Sequence, residues 1–174
     1  MTVQEMEQGF QKIWELFAET EQELHTLFSK TDAKIEALTG KWGRFVEGLI
    51  APAVHRLFQA WNIEVDRVYQ RVKAHKNGAG LEVDILAVNG EYAVLIEAKS
   101  TLGVDDVRDH LDCLQKFKPF FPEYADRKVI GAVAGIVIDE DADQFAYRQG
   151  LFVMAQSGEA VRILNDEQFR PKHW

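Results

Sequence analysis

Two carboxylates and an amine stand out by type and spacing in the stretch LEVDILAVNGEYAVLIEAKS, residues 81–100. Asp84 precedes the dipeptide Asn89-Gly90; Glu97 and Lys99 follow it, and the rest of the stretch is largely apolar. Asn-Gly between two apolar runs predicts a hairpin, because a type I′ turn needs positive φ at both central residues. With Asn89 and Gly90 as a two-residue loop, Asp84 faces Leu95 and lies diagonal to Glu97. Side chains alternate along a strand, so Glu82, Asp84, Leu95, Glu97 and Lys99 share one face and Ile85, Ala87, Val94, Ile96 and Ala98 the other. Carboxylates packed together repel and perturb each other's pKa values unless a cation joins them. A hard divalent ion such as Mg²⁺ suits this donor set, since it takes one or two carboxylates and keeps water or substrate phosphate. Lys99 would stand beside the metal-bound water. The same alternation also suits the solvated edge of a hairpin.

The surrounding elements must position these groups. Residues 3–38 contain no proline and predict one helix with a heptad pattern. Placing a at Val3, Phe10, Phe17, Leu24, Thr31 and Leu38 puts d at Met6, Ile13, Thr20, Leu27 and Lys34, and eight of the eleven are apolar. Trp14, Phe28 and Ile35 fall at e and widen the stripe. Such a face has to be covered, by other chains or by folding back on the body, and self-association into a homo-oligomer through residues 3–38 is the expectation. Thr39-Gly40 predicts a break, and a second helix is expected from Lys41 to Trp61, interrupted at Pro52. A strand is expected over residues 63–72, a basic loop over 73–80, then the hairpin. A helix from Val104 to Phe121, a buried strand over 129–138, a short helix, and strands over 151–155 and 160–164 complete the order. This predicts an α/β fold with a mixed central sheet flanked by helices. The expected domains are 1–39, a coiled-coil oligomerisation helix, and 40–174, the site-bearing domain.

Composition narrows the class. The chain of 174 residues is 47% hydrophobic and 28% charged, ordinary for a globular protein. No apolar run approaches a membrane span, the N-terminus lacks a signal-peptide pattern, and Cys113 is the single cysteine. These absences favour the cytoplasm. The net charge is −8, but residues 1–40 hold eight acids and three bases, a balance of −5, leaving −3 for the other 134. The acidity therefore does not exclude an anionic partner for residues 40–174. No P-loop, dinucleotide glycine motif or paired metal-binding histidines occur, so no nucleotide cofactor is expected.

An Asp in one strand, a turn, and Ile96-Glu97-Ala98-Lys99 in the next resembles the PD-(D/E)XK nuclease superfamily, the restriction-endonuclease-like group. GKWGRFVEGLIAP (40–52), LEVDILA (81–87), IEAKS (96–100) and FFPEY (120–124) are similar to a bacterial family that joins an N-terminal coiled coil to such a core. Val83 stands where the superfamily name has proline. The resemblance implies Asp84 and Glu97 as metal ligands, the Ala98 carbonyl as a third, and Lys99 as the catalytic lysine. It also implies Glu47, the acid of the first core helix, as a direct or indirect ligand. Glu82 is a second acid that competes with Asp84. The implied activity is Mg²⁺-dependent endonucleolytic hydrolysis of DNA, with Mn²⁺ as a substitute; the alternative is a catalytically silent nuclease fold that binds DNA or serves as a scaffold. Arg67, Arg71, Lys73, His75 and Lys76 form the most basic stretch, and Arg67, Arg71, Lys73 and Lys76 are the candidate DNA contacts. Gln115 falls where some superfamily members aim a polar residue at the site.

Overall fold

The structure is a computed structural model that describes residues 2–158 and 160–174, with the side chains of 32, 35–42 and 45 left aside. The chain divides into two compact units, Met1–Lys41 and Trp42–Trp174.

Helical backbone α1 runs from Val3 to Ile50. Thr2 and Glu5 cap its start reciprocally: the Thr2 N–H donates to Glu5 Oε2 at 2.7 Å and the Glu5 N–H to Thr2 Oγ1 at 3.2 Å. The break expected at Thr39-Gly40 does not occur. One glycine costs a helix interior about 1 kcal/mol, less than stranding the backbone groups of two new termini. In the first unit Phe10, Ile13, Trp14, Phe17, Leu24 and Phe28 are exposed. The hydroxyls of Thr20 and Thr31, at heptad positions, donate to carbonyls four residues back, so their polarity is met within the helix.

Pro52 acts as expected. It sits in a 3₁₀ turn, Ala51–Ala53, after which α2 restarts over Val54–Gln59. The remaining elements are β1 (Arg67–Lys76), β2 (Ala79–Val88), β3 (Tyr92–Leu102), α3 (Val104–Phe120), a 3₁₀ turn (Pro122–Tyr124), β4 (Lys128–Ile138), α4 (Ala142–Arg148), β5 (Phe152–Ser157) and β6 (Ala160–Ile163). They form one six-stranded sheet in the order β1-β2-β3-β4-β5-β6. β3, β4 and β5 are parallel and the other neighbours antiparallel. The two parallel steps are bridged by α3 and α4, as crossover geometry demands. This is the expected α/β class with a mixed central sheet flanked by helices.

The sheet is covered on both faces. Val46, Ile50, Val54, Leu57 and Phe58 pack against Ile85, Ala87, Val94, Ile96 and Phe152 on one side. Val107, Leu114 and Phe117 of α3 pack against Leu86, Leu95, Val129 and Val133 on the other. Burial on both faces explains the nearly unbroken apolar run of β4. Gly131 lets α3 come close there: a Cβ would lie 2.5 Å from Leu114 and 2.6 Å from Leu151.

The turns differ from expectation. Residues 73–80 are not a loop, because β1 and β2 continue to a two-residue turn at Asn77-Gly78, with φ of 51° and 79°. Positive φ at both central residues belongs to this Asn-Gly, not to Asn89-Gly90. Asn89 instead accepts the N–H groups of Glu91 and Tyr92 on its side-chain oxygen and donates to the Glu64 carbonyl. The loop is longer, and Val88 pairs with Ala93 and Ile85 with Ile96. That register is two residues from the one a two-residue loop imposes, so the faces are preserved along the paired residues 85–88 and 93–96. Beyond Ile85 the β1–β2 pair continues alone to Lys76↔Ala79. Val72, Ala74 and Leu81 of this ribbon pack in the α3-side core.

Candidate active site

Asp84 lies at an irregularity in β2. Val83 and Leu86 both pack on the α3 side while Ile85 packs on the α2 side, so regular alternation fails at the residue between Val83 and Ile85. β1 shows the same reversal: Val68 packs on the α2 side but Val72 and Ala74 on the α3 side. The ladder runs Gln70↔Ile85 then Val72↔Val83, skipping Arg71 and Asp84. Arg71 has φ of 53°, a conformation uncommon for a residue with a side chain, and this accounts for the kink.

The kink leaves Asp84 partly buried, with Oδ2 accepting the Ala98 N–H at 3.0 Å. The β2–β3 ladder stops at Ile85↔Ile96, so the next residues along it are Asp84 and Glu97. The acids thus meet at the end of the ladder, close enough for the charge of Asp84 to act on Glu97. Glu97 Oε1 lies 2.9 Å from Lys99 Nζ. Its other oxygen, Oε2, lies 4.0 Å from Nδ1 of His110.

The electrostatics record the crowding. Burial, then the charge of Asp84, pushes the Glu97 carboxyl up to about 7, against the pull of Lys99. Burial also raises Asp84, opposed by the Ala98 N–H and by Lys99. For Lys99, burial works against the charged amine, but the hydrogen bond to Glu97 and the charges of Glu97 and Asp84 outweigh it and hold the pKa above its usual value. Lys99 is therefore a charged amine at neutral pH.

Glu47 is buried, 5% exposed, and both its oxygens are taken by Arg71: Nε donates to Oε2 at 3.0 Å and Nη2 to Oε1 at 3.2 Å. The candidate DNA contacts go to separate partners. Lys73 lies 3.7 Å from Glu82, Lys76 donates to the Pro119 carbonyl, and Arg67 is fully exposed beside Tyr69 and Tyr124. Glu82 is thus engaged away from Asp84, and Gln115 is exposed.

The sequence suggests only surface or packing work for His110 and no place at the site. His110 is 2% exposed, with Nε2 at 3.1 Å from the Leu95 carbonyl, and burial lowers its pKa to about 4. The available signal was spacing: Val107, His110, Leu114 and Phe117 are the buried residues of α3, at helical intervals.

Among the described residues, no three His, Cys, Asp or Glu side chains gather in a geometry that holds a metal ion. Asp84 and Glu97 remain a two-carboxylate donor set whose mutual repulsion an added positive charge relieves, and this fits a hard cation that retains its own waters. No helix among the described residues is long and apolar enough to cross a membrane.

No family model matches the chain, and no curated protein matches it. Among solved structures, the chain is similar to a repair endonuclease from Pyrococcus abyssi, with a TM-score of 0.46 and 17% identity over 64% of this chain and 46% of that one. It is also similar to a chain of an EndoMS–dsDNA complex, with a TM-score of 0.41 and 17% identity over 64% of this chain and 44% of that one. A protein of unknown function gives a TM-score of 0.41 and 14% identity over 70% of this chain and 61% of that one. The chain spans less than two thirds of the length of each.

Proposed function

We propose that the second unit is a metal-dependent nuclease that hydrolyses phosphodiester bonds in DNA. The observation that carries this reading is the meeting of Asp84 and Glu97 just past the end of the β2–β3 ladder, with Asp84 accepting the Ala98 N–H at 3.0 Å and the Lys99 amine 2.9 Å from Glu97. The IEAK motif and its resemblance to the PD-(D/E)XK superfamily supply the reaction class. Asp84, Glu97 and the Ala98 carbonyl would hold Mg²⁺ or, in its place, Mn²⁺. A bound cation supplies Lewis-acid polarisation of the phosphate and a lowered pKa for its water. The Ala98 N–H orients Asp84, and Glu97 keeps Lys99 protonated and directed. That ammonium is suited to stabilise negative charge building on the phosphoryl oxygens or to orient the attacking water. Glu47 serves this site at one remove, by holding Arg71, whose charge in turn lowers the pKa of Asp84. The exposed apolar residues of α1 support self-association through residues 3–38.

In the test, purified protein is incubated with duplex, branched and single-stranded DNA in Mg²⁺ or Mn²⁺. Lys99→Ala is expected to abolish cleavage while the protein stays folded, and Asp84→Asn to remove cation binding in calorimetric titration. Undiminished cleavage by Lys99→Ala refutes the assignment. A second reading, a silent nuclease fold that assembles partners, draws on the engagement of Arg71 and Lys73 with Glu47 and Glu82. It predicts no cleavage in any cation.

A further inference from the structure

His110 is buried, its Nδ1 has no hydrogen-bond partner among the described residues, and it lies beside the proposed site. The Leu95 carbonyl can only accept, so the Nε2 3.1 Å away donates to it. In the neutral ring this leaves a lone pair on Nδ1, 4.0 Å from Glu97 Oε2, itself an acceptor. Two acceptors at that separation are satisfied by one shared donor about 2.8 Å from each. Leu95 and Glu97 lie on the same strand, so the ring is anchored to β3 two residues before the carboxylate it faces. Lys99 holds the opposite oxygen of that carboxylate.

We propose that His110 is a positioning residue for Glu97: its Nδ1 fixes Oε2 through a shared donor while Lys99 fixes Oε1, setting the direction in which the carboxylate meets a cation. The proposal rests on the cation reading given above. It assigns a role in cation binding to α3, which carries none of the carboxylates of the pair. Partners behind a ligating side chain commonly change metal affinity by ~10–100-fold when removed.

The test uses the full chain and Mn²⁺ alone, titrated by calorimetry into wild type, His110→Asn, His110→Gln and His110→Leu, with thermal unfolding followed in parallel. An Asn amide occupies the place of Nδ1, and a Gln amide reaches toward that of Nε2. The expected result is near-wild-type affinity for His110→Asn and a loss of ~10–100-fold for His110→Gln and His110→Leu, whichever variant is the more stable. A residue that only pins α3 to β3 gives the reverse order, with His110→Gln intact and His110→Asn impaired, and that order overturns the proposal. Wild-type affinity in His110→Leu also overturns it. A wild type that binds no Mn²⁺ overturns the cation reading instead. The positioning role is then decided by crystals of metal-free His110→Leu: a turned Glu97 carboxylate supports it, and an unmoved one overturns it.

Discussion

The ion pair between Glu47 and Arg71 offers a quantitative test of how the site is built. The two ends differ in exposure: the Glu47 side chain is 7% exposed and that of Arg71 38%. Replacing Arg71 with alanine strands a buried carboxylate that now has a two-point donor at 3.0 and 3.2 Å. Removing one partner of a buried pair costs about 3–5 kcal/mol. Arg71 is partly open to water, which will reach Glu47 once the guanidinium is gone, so the lower end, about 3 kcal/mol, is expected. For a unit of this size that lowers the melting temperature by about 10 °C. Glu47→Leu alone leaves a half-exposed guanidinium that water can solvate and should cost less. The double variant Arg71→Met/Glu47→Leu should recover most of the loss, because a buried pair is often no better than apolar side chains of similar volume. Urea denaturation of wild type, Arg71→Met, Glu47→Leu and Arg71→Met/Glu47→Leu closes the double-mutant cycle, with Arg71→Ala measured beside it. A loss below about 1 kcal/mol in Arg71→Ala, or a double variant as unstable as the sum of the singles, would refute the argument that Arg71 neutralises Glu47.

Two further outcomes follow from geometry and charge. The raised Glu97 carboxyl binds a proton in the folded state that the unfolded state has released, so metal-free protein loses stability as pH climbs from 4.5 through about 7. The lowered His110 acts oppositely and adds stability as pH climbs from about 4 through 6.5. The advantage of wild type over Glu97→Gln should therefore shrink with rising pH, and that over His110→Leu should grow, each by up to ~1.4 kcal/mol per pH unit in urea titrations; slopes of the same sign sink this account. Gly131→Ala places a Cβ 2.5 Å from Leu114 and 2.6 Å from Leu151, both deep in the core. It should cost ~1–3 kcal/mol by overpacking, read as a lower melting temperature; a variant as stable as wild type contradicts the close approach of α3.

The facing of Glu97 and Lys99 was legible in the sequence because parity survives any even shift of register; that of Glu82 was not, because alternation fails at Asp84 and Glu82 turns to Lys73. Asp84, Glu97 and Lys99 kept their company although the loop is longer than Asn89-Gly90 suggests. The loop itself was not legible, since Asn89 is drawn into hydrogen bonds that include the Glu64 carbonyl 25 residues earlier. The kink in β1 was not legible either: a period of two assumes a regular strand, and Arg71 at φ 53° ends that regularity. Pro52 spoke correctly because a missing N–H is a local fact. Gly40 did not, because a helix carries one glycine at a small penalty. His110 was visible as a core position on α3, but only the folded chain shows Nδ1 beside Glu97.

The ribbon beyond Ile85 has a mechanical meaning. Its root is the kink at Arg71 and Asp84, and its free end is the Asn77-Gly78 turn. The ribbon is also moored along its length, by Lys76 on the Pro119 carbonyl and by Val72, Ala74 and Leu81 in the α3-side core. A load applied at the far end, whether by a bound strand, a crosslink or an inserted tag, is therefore shared with α3 before it reaches the carboxylate.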